Sequence, residues 1–324
     1  GRRMNKPLST IYLTVALCLT SGDHLPAEDG LHPDFPDIAG PEIWVDGPDD
    51  VQPGFQRDYS DVAVDNDGRR IHVWGTSGGA GLDNREVFLR RWDAGGNPLE
   101  DPKMVNTTTA GRQDEPRVAV AADGSFLVIF ESREPIASQG GALRILVRSQ
   151  AYDSAGNPIG SEQLLNTVIP TGLFPARADV AALRTADGSP GGYTVIWESN
   201  VSAGSDITQS IQGCLVSASG VPGAQFQLNS DDPPSQAWPT VTELTDGGFL
   251  AVWTAGANTE VRGRRFNSAG GPIGNDYKIS TEFLAGKSEK DAAIGWDGTV
   301  AIVWVDSDES QPISDENEIR ARLY

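Results

Sequence analysis

One phrase recurs five times along this 324-residue chain and constrains its fold more than any other feature. Each copy has a valine-rich strand, an Asp-Gly turn, an apolar strand that ends in an aromatic residue, and a more basic strand. In all but the last copy, a turn and a fourth strand such as "LLNT" follow. The copies begin at Val62, Val118, Val180, Val241 and Ala292. Four strands repeated at this spacing are typical of a propeller blade, so the sequence predicts an all-β, five-bladed β-propeller.

An Asp-Gly pair follows the first strand of every copy. The pairs are Asp67-Gly68, Asp123-Gly124, Asp187-Gly188, Asp246-Gly247 and Asp297-Gly298. Asp-Gly between two apolar runs indicates a hairpin, because the tight turn needs a residue with positive φ. Five pairs at matching places therefore predict a regular array of hairpins.

The second strand of each copy is apolar throughout and ends in an aromatic residue. These residues are Trp74, Phe130, Trp197, Trp253 and Trp304. A run without polar alternation indicates burial on both faces, as in a sheet that lies between two others. We expect the five side chains to form the core between blades rather than a platform for sugars.

The fifth copy stops at Tyr324 and lacks the fourth strand. A strand-like segment, Gly40–Gly47 (GPEIWVDG), lies in front of the first copy instead. We expect it to complete the last blade, which would close the ring and cover an open sheet edge. The predicted propeller domain then spans residues 40–324, with five blades and no sixth.

The N-terminal residues have the pattern of a targeting segment. Residues 1–22 predict a signal peptide with a short N-terminal extension, because Lys6 precedes an apolar run that gives way to small and polar residues. That run is too short for a comfortable membrane span. Residues 23–39, with three prolines, indicate a linker. We expect a secreted monomer, extracellular or periplasmic, without a membrane span.

The formal net charge of −20 limits the partners. Such an acidic surface repels nucleic acid and anionic lipid. It is compatible with calcium, with neutral sugars, or simply with solubility outside a cell. The expected partners are therefore a glycan or an extracellular protein, and no nucleic acid.

Few side chains of catalytic or metal-binding type are present. Of three histidines only His72 lies in the repeats, within an apolar strand. This excludes a zinc or iron site built from several histidines or cysteines, and it disfavours a Ser-His-Asp site. Cys214, the one cysteine in the repeats, is expected to be a buried, inert thiol.

The candidate functional side chains that remain are those with oxygen atoms, chiefly carboxylates. The first strand of a blade lines the central channel of a propeller, so the residues that open it should ring the channel mouth. They are Asp61, Arg117, Asp179, Thr240 and Asp291. The three carboxylates could have a structural role and cap strand ends, with Arg117 neutralising their charge. They could instead bind a hard cation or another ligand. In the third alternative, one is a catalytic acid and another a base or nucleophile.

Further candidates lie in the loops on the same face. Glu131 and Glu198 follow the aromatic residues of the second strands, and Trp238 could stack on a sugar. The last loop carries alternating acids at Asp306, Asp308 and Glu309. It lacks the glycine and the distal glutamate of an EF-hand, but it is the place where calcium, the one cofactor considered, would bind.

The repeat resembles one found in large secreted bacterial proteins, often beside calcium-binding or cadherin-like adhesion modules. The residues that carry the resemblance are Asp246-Gly247, Phe249–Trp253, Arg264–Phe266, Gly156–Gly160 and Val105–Thr107, and it covers Gly40–Tyr324. The resemblance implies the propeller fold and an extracellular setting. It implies no catalytic residues, because the recurrent positions belong to turns and core.

Two functions follow as hypotheses. The leading one is a secreted, non-enzymatic binding module that presents a loop-rich face to a glycan, a protein or a surface. It rests on the regular scaffold and on the few catalytic side chains. The alternative is a glycoside hydrolase or lyase that uses the carboxylates at the channel mouth, with Glu131 or Glu198 as a further acid.

Overall fold

The structure of the protein is a computed structural model, and it describes most of the repeat region. The described residues are 56–77, 85–136, 142–167, 176–185, 187–203, 206–230, 235–256, 259–281, 288–295, 297–307 and 317–324. Within these ranges the regular structure is entirely β-strand. They contain no helix with the length and apolarity needed to cross a membrane.

The strands form five antiparallel sheets, each built from consecutive strands. The first sheet contains β1 (Gln56–Val64), β2 (Arg70–Ser77), β3 (Arg85–Trp92) and β4 (Lys103–Met104). The second contains β5 (Arg112–Val120), β6 (Phe126–Ile136), β7 (Ala142–Tyr152) and β8 (Pro158–Leu164). The third contains β9 (Ala176–Arg184), β10 (Pro190–Ala203), β11 (Asp206–Val216) and β12 (Phe226–Gln227).

The fourth sheet contains β13 (Ala237–Glu243), β14 (Phe249–Ala255), β15 (Glu260–Phe266) and β16 (Pro272–Lys278). The fifth contains β17 (Ser288–Ile294), β18 (Val300–Ser307) and β19 (Asn317–Leu323). The first strands of successive sheets, such as β1 and β5 or β9 and β13, lie side by side. The prediction of an all-β, five-bladed β-propeller is confirmed.

The Asp-Gly turns join the first and second strands as predicted. All five glycines are in the left-handed region, with φ between 77° and 85°. The aspartate side chain fixes the turn from the other side: Asp123 Oδ1 accepts the amide of Ser125 at 2.9 Å, and Asp297 Oδ1 that of Thr299 at 2.9 Å. The turn therefore uses both residues of the pair, one for its backbone and one for its carboxylate.

The aromatic residues that end the second strands form the core between blades, as predicted. Phe130, Trp197 and Trp253 are 0% exposed, and Trp74 and Trp304 are also buried. Trp197, for example, packs in one cluster with Leu127 of the preceding blade. Burying a large apolar side chain stabilises a fold by about 1.5–3 kcal/mol, so these clusters hold neighbouring blades together.

A polar side chain fastens each fourth strand to the third. The amides of Val87, Val147 and Ile211 donate to Asn106, Asn166 and Asn229 at 2.9, 2.8 and 2.7 Å. Ser280 accepts the amide of Val261 in the same way at 3.1 Å. The asparagine of "LLNT" thus replaces a backbone carbonyl where the strand ladder ends.

Asn166→Ala should lower the free energy of unfolding by about 1–3 kcal/mol, because the buried amide of Val147 loses its acceptor. Urea unfolding of the full chain measures the change. Asn66→Ala, which removes an asparagine whose hydrogen bond is exposed, should stay within about 0.5 kcal/mol of the parent. Equal effects at the two sites would contradict the role given to Asn166.

The fifth sheet has three strands among the described residues, and its outer edge differs from the others. Ile319 of β19 is 80% exposed, whereas Val87, Val147, Ile211 and Val261, which take its place in the other blades, are 0% exposed. Gly40–Gly47, the predicted closing strand, lies outside the described residues, as do the predicted signal peptide (1–22) and linker (23–39). Closure by that segment remains a prediction.

Candidate functional site

The structure brings the residues that open the first strands into one electrostatic group. The pKa of Asp291 is raised chiefly by burial, then by the charges of Asp179 and Asp61, and it is lowered by Arg117, so the four charged side chains interact with one another. Thr240 takes the fifth place and donates to Asp179 Oδ2 at 2.8 Å. We call these five residues the inner ring.

Two carboxylates of the inner ring connect neighbouring blades. Asp61 Oδ2 accepts the amide of Val118, on the next blade, at 2.9 Å. Asp179 Oδ2 accepts the amide of Val241, also on the next blade, at 2.8 Å, and Asp179 Oδ1 accepts the amide of Val180 at 2.9 Å. Both carboxylates therefore cap strands, which is the structural role that the sequence left open.

Asp291 differs from these two. Its carboxylate accepts the amide of its own neighbour Ala292 at 2.8 Å, and within the described residues it reaches no amide of another blade. Burial raises its pKa to about 6, and the charges of Asp179 and Asp61 add to the shift. Burial also raises the pKa of Asp61. Asp291 thus holds a proton in mildly acidic solution without serving as a link between blades.

Glu131 and Glu198 are not open to solvent as the sequence suggested. They are 1% and 5% exposed. Glu131 Oε1 accepts the amide of Arg177 at 2.5 Å, and Glu198 Oε2 accepts the amide of Trp238 at 3.3 Å, in each case from the following blade. Both glutamates are therefore buried acceptors that link a second strand to the first strand of the following blade. A ligand-binding role for them remains a prediction.

A β-bulge lies two residues before the inner ring in each blade. In four blades the residue at this position has a positive φ of 51° to 59°. These residues are Tyr59, Glu115, Arg177 and Trp238. We call them the bulge ring.

The bulge ring is unusual in its residue types. Glycine, asparagine and aspartate are the residues that adopt positive φ readily, and large side chains held there cost on the order of 1–3 kcal/mol each. Bulges re-aim side chains and are frequent beside active sites. The strain recurs in four blades, with a different large residue in each of them, which indicates that these positions present side chains rather than shape the turn.

Two neighbours of the bulge ring are in direct contact. The guanidinium of Arg177 lies over the indole of Trp238, 3.2 Å from the ring centroid. Arg177 Nη1 also pairs with Glu198 Oε2 at 3.2 Å, and Gln209 Nε2 donates to Glu198 Oε1 at 3.2 Å. Trp238, named from the sequence as a sugar-stacking candidate, is therefore held by a cation on one face.

Lys290 was not found by sequence reasoning. It stands next to Asp291, yet the charges that act on it are those of Glu198 and Arg177. Its Nζ is buried and has no hydrogen-bond acceptor in the described part of the chain. Burial holds the pKa of Lys290 well below its ordinary value, with Glu198 acting in the opposite direction. A buried, unpartnered lysine is rare, and position in the sequence alone gives no sign of it.

One group of carboxylates has the spacing of a metal site. Ligand atoms of Asp114, Glu115 and Glu131 lie within 4.8 Å of one another. Arg112 is hydrogen-bonded to Asp114, and Arg133 pairs with Glu115 at 3.2 Å. These guanidinium groups already neutralise the acids, so the group carries no metal proposal.

The calcium site predicted from the sequence lies mostly outside the described residues. Asp308 and Glu309 lie outside the described residues, and only the backbone of Asp306 is described. Calcium remains a prediction.

Neither His72 nor Cys214 suits catalysis at the mouth. Burial, with the nearby charge of Arg70, lowers the pKa of His72 to about 4. Burial raises the pKa of the Cys214 thiol to about 12, and the residue is 0% exposed. The expectation of a buried thiol is confirmed, and its inertness stays a prediction.

Solved structures with a similar fold include an α-L-arabinofuranosidase and an α-L-arabinanase. A GH93 α-L-arabinofuranosidase of Fusarium graminearum, in complex with arabinobiose, has a TM-score of 0.54 and 13% identity over 85% of this chain and 79% of its own. An α-L-arabinanase of Penicillium chrysogenum, also with arabinobiose, has a TM-score of 0.51 and 14% identity over 82% and 76%.

A protein of unknown function from Dyadobacter fermentans has a TM-score of 0.56 and 14% identity over 83% of this chain and 79% of its own. No protein-family profile matches the chain, and no curated protein matches it in sequence. Identities of this size show a shared fold and leave the adhesion setting implied by the repeat as a prediction.

The comparisons contradict the leading prediction of a non-enzymatic binding module. Both enzymes of similar fold described above are glycoside hydrolases, so that prediction is wrong and its alternative, an enzyme, is the better supported. The three carboxylates of the inner ring come from distant repeats, and the sequence alone leaves their role open between capping, binding and catalysis.

Proposed function

We propose that the protein is a secreted glycoside hydrolase whose active site is the inner ring, with Asp291 as the general acid. The observation that carries the proposal is the state of Asp291. Its pKa is about 6, and within the described residues its carboxylate makes no link to a neighbouring blade. A proton held at that pKa is available to a leaving group in mildly acidic solution.

The second carboxylate that the reaction needs comes from the same ring. Hydrolysis of a glycoside uses one carboxylic acid to protonate the leaving oxygen and one carboxylate as base or nucleophile. Asp179 is fixed in one orientation by Thr240, Val241 and Val180. We assign it the second role, because a rigid carboxylate keeps the geometry that attack or water activation requires.

The first substrates to test are arabino-oligosaccharides, because the two similar hydrolases were solved with arabinobiose. Release of reducing ends from linear arabinan and arabino-oligosaccharides should be measured between acidic and alkaline pH. We expect activity to fall as the pH rises through about 6, since Asp291 then loses the proton that it donates.

The same reaction series should be followed by ultraviolet absorbance, which detects the unsaturated product of elimination. Such a product would mean that the inner ring catalyses elimination, as a lyase does, instead of hydrolysis. If no glycan in a wide panel, neutral or acidic, is cleaved by either route, the proposed function is wrong.

A further inference from the structure

A cavity lies at the end of the channel-lining strands that is opposite to the inner ring. Its volume is about 390 Å³, within the range of about 300–1,000 Å³ that is usual for small-molecule sites. Three of those strands, β9, β13 and β17, end at its walls with Arg184, Glu243 and Ile294. Thr240 and Asp291 of the inner ring lie three residues earlier on β13 and β17, which is about 10 Å along a strand. The cavity is therefore separate from the candidate active site.

The third blade differs from the other four at this cavity. Trp197 follows the inner-ring residue Asp179 by eighteen positions, whereas the corresponding aromatic residue follows by thirteen in each of the other blades. The five additional residues lengthen the hairpin between β9 and β10, and Arg184, Thr185 and Gly188 of this hairpin line the cavity. Four blades form the hairpin without an insertion, so the fold does not require one. The insertion therefore indicates that the cavity has a function.

Two charged side chains in the cavity pair with each other. Arg184 Nη2 lies 2.6 Å from Glu243 Oε1. The pair is open to solvent, because the Arg184 side chain is 57% exposed and that of Glu243 is 18% exposed. The contact uses one nitrogen and one oxygen, so further guanidinium N–H groups and Glu243 Oε2 remain for a ligand. A donor beside an acceptor, without net charge, matches two neighbouring hydroxyl groups of a sugar.

Leu244 and Ile294 give the cavity an apolar side. Both line it, and both are only partly buried where they pack on the hydrophobic core of the fourth and fifth blades. Small-molecule sites combine such apolar surface with a few well-placed polar groups. A sugar ring matches this lining, since one face presents C–H groups and the edge presents hydroxyls. The apolar face would contact Leu244 and Ile294 while two hydroxyls bind the Arg184–Glu243 pair.

We propose that this cavity is a second glycan-binding site, which holds a neutral sugar unit without cleaving it. Glu243 is the one acid among the described residues that line the cavity, whereas hydrolysis of a glycoside needs two carboxyl groups. The site does not depend on catalysis at the inner ring. Its role is to attach the protein to a polysaccharide while the inner ring stays free at the other end of the channel.

The ion pair also distinguishes a neutral sugar from charged ligands. An amino acid or a short peptide carries separate positive and negative groups, so it would have to break the Arg184–Glu243 pair to bind both side chains. The carboxylates of an acidic glycan would meet Glu243 and an overall charge of −20, which repels them. Two hydroxyls can bridge the pair as it stands.

The test is electrophoresis of the full chain through native gels that contain arabinan, galactan, xylan, β-glucan or polygalacturonate. We expect at least one neutral polysaccharide, but not polygalacturonate, to retard the protein. Arg184→Met should weaken this binding about 10-fold, because the guanidinium donors are lost. Arg265→Met is the matched control: Arg265 forms an exposed pair with Asp246 at 2.9 Å on the fourth blade, outside the cavity, and the variant has the same net charge. Equal binding by the two variants would overturn the proposal, as would stronger retardation by polygalacturonate.

Thr245→Trp supplies the second arm, because it fills the cavity from an exposed turn of the fourth blade and leaves the ion pair in place. It should weaken binding as Arg184→Met does. Both variants should melt as the parent does, since exposed ion pairs and exposed turn residues contribute little to stability. Unchanged retardation of Thr245→Trp, or displacement of the polysaccharide by glycylglycine, would also overturn the proposal.

Hydrolysis distinguishes this proposal from the proposed function. Arg184→Met and Thr245→Trp should cleave short oligosaccharides at the rate of the parent, because neither residue belongs to the inner ring. Cleavage by the parent without retardation in any neutral gel would count against the cavity alone. Retardation that both variants lose, in a protein that cleaves no glycan, would count against the proposed function alone.

Discussion

Asp291→Asn should remove glycoside hydrolysis and at the same time make the protein more stable at neutral pH. Activity should fall by about 10²–10⁴-fold, because asparagine cannot donate the proton that Asp291 holds. Reducing-end release at pH 5 and 7 measures this effect. Asp153→Asn, which changes an exposed turn at the opposite end of the blade, should retain the activity of the parent.

The gain in stability follows from the sign of the pKa shift. Asp291 has a pKa of about 6 in the folded protein against an ordinary 3.8, so folding disfavours its charged form. The unfolded chain therefore releases this proton earlier, and stability is lost as the pH rises from about 4 to about 6. Asparagine avoids the loss and still accepts the amide of Ala292. At pH 7 the variant should gain up to about 3 kcal/mol, at 1.36 kcal/mol per pKa unit.

Urea unfolding at pH 4 and pH 7 separates this explanation from others. The two proteins should be equally stable at pH 4 and differ at pH 7. Asp179→Asn is the matched control: its amide would meet one of the three donors that Asp179 accepts and should lower stability by about 1–3 kcal/mol. If Asp291→Asn destabilises like Asp179→Asn, Asp291 is a structural cap and the assignment of the acid fails.

The parts of the fold that the sequence predicts are those fixed by local, repeated chemistry. Gly68 and its counterparts adopt positive φ because the hairpin requires it, and Trp197 and its counterparts are buried because their strands are apolar on both faces. Each of these features needs only a few neighbouring residues. Five repetitions then make the pattern unmistakable.

The site could not be predicted in the same way, because it depends on contacts between blades. Asp61, Asp179 and Asp291 are the same residue at the same place in three copies. Among the described residues, however, Asp61 and Asp179 accept an amide of the next blade, whereas Asp291 accepts only that of its own neighbour. Arg177 and Trp238 are residue types that avoid positive φ, so nothing in the sequence marks their bulges. Within the described part of the chain Lys290 Nζ has no acceptor, and its position in the sequence does not indicate this.

Ile319→Asp should strongly destabilise the full chain if Gly40–Gly47 closes the fifth blade. Ile319 is 80% exposed among the described strands, but its counterparts are 0% exposed under a fourth strand. In Gly40–Gly47 the residues Val45 and Asp46 stand where the other blades have Leu165 and Asn166. A closing strand would bury Ile319 and bring Asp46 to its amide.

A charge buried in this way should cost more than about 3 kcal/mol, whereas the same change on an open edge should stay within about 0.5 kcal/mol. Val261→Asp, at the same place in the fourth blade, should be severe in any case. The decisive comparison adds a chain that lacks residues 1–47. In that chain Ile319→Asp should hardly change the free energy of unfolding, because the strand that covers Ile319 is gone. The difference between the effects in the two chains measures the coupling of Ile319 to the N-terminal segment. A mild effect in both chains would mean that the fifth blade has an open edge and that Gly40–Gly47 is not part of the ring.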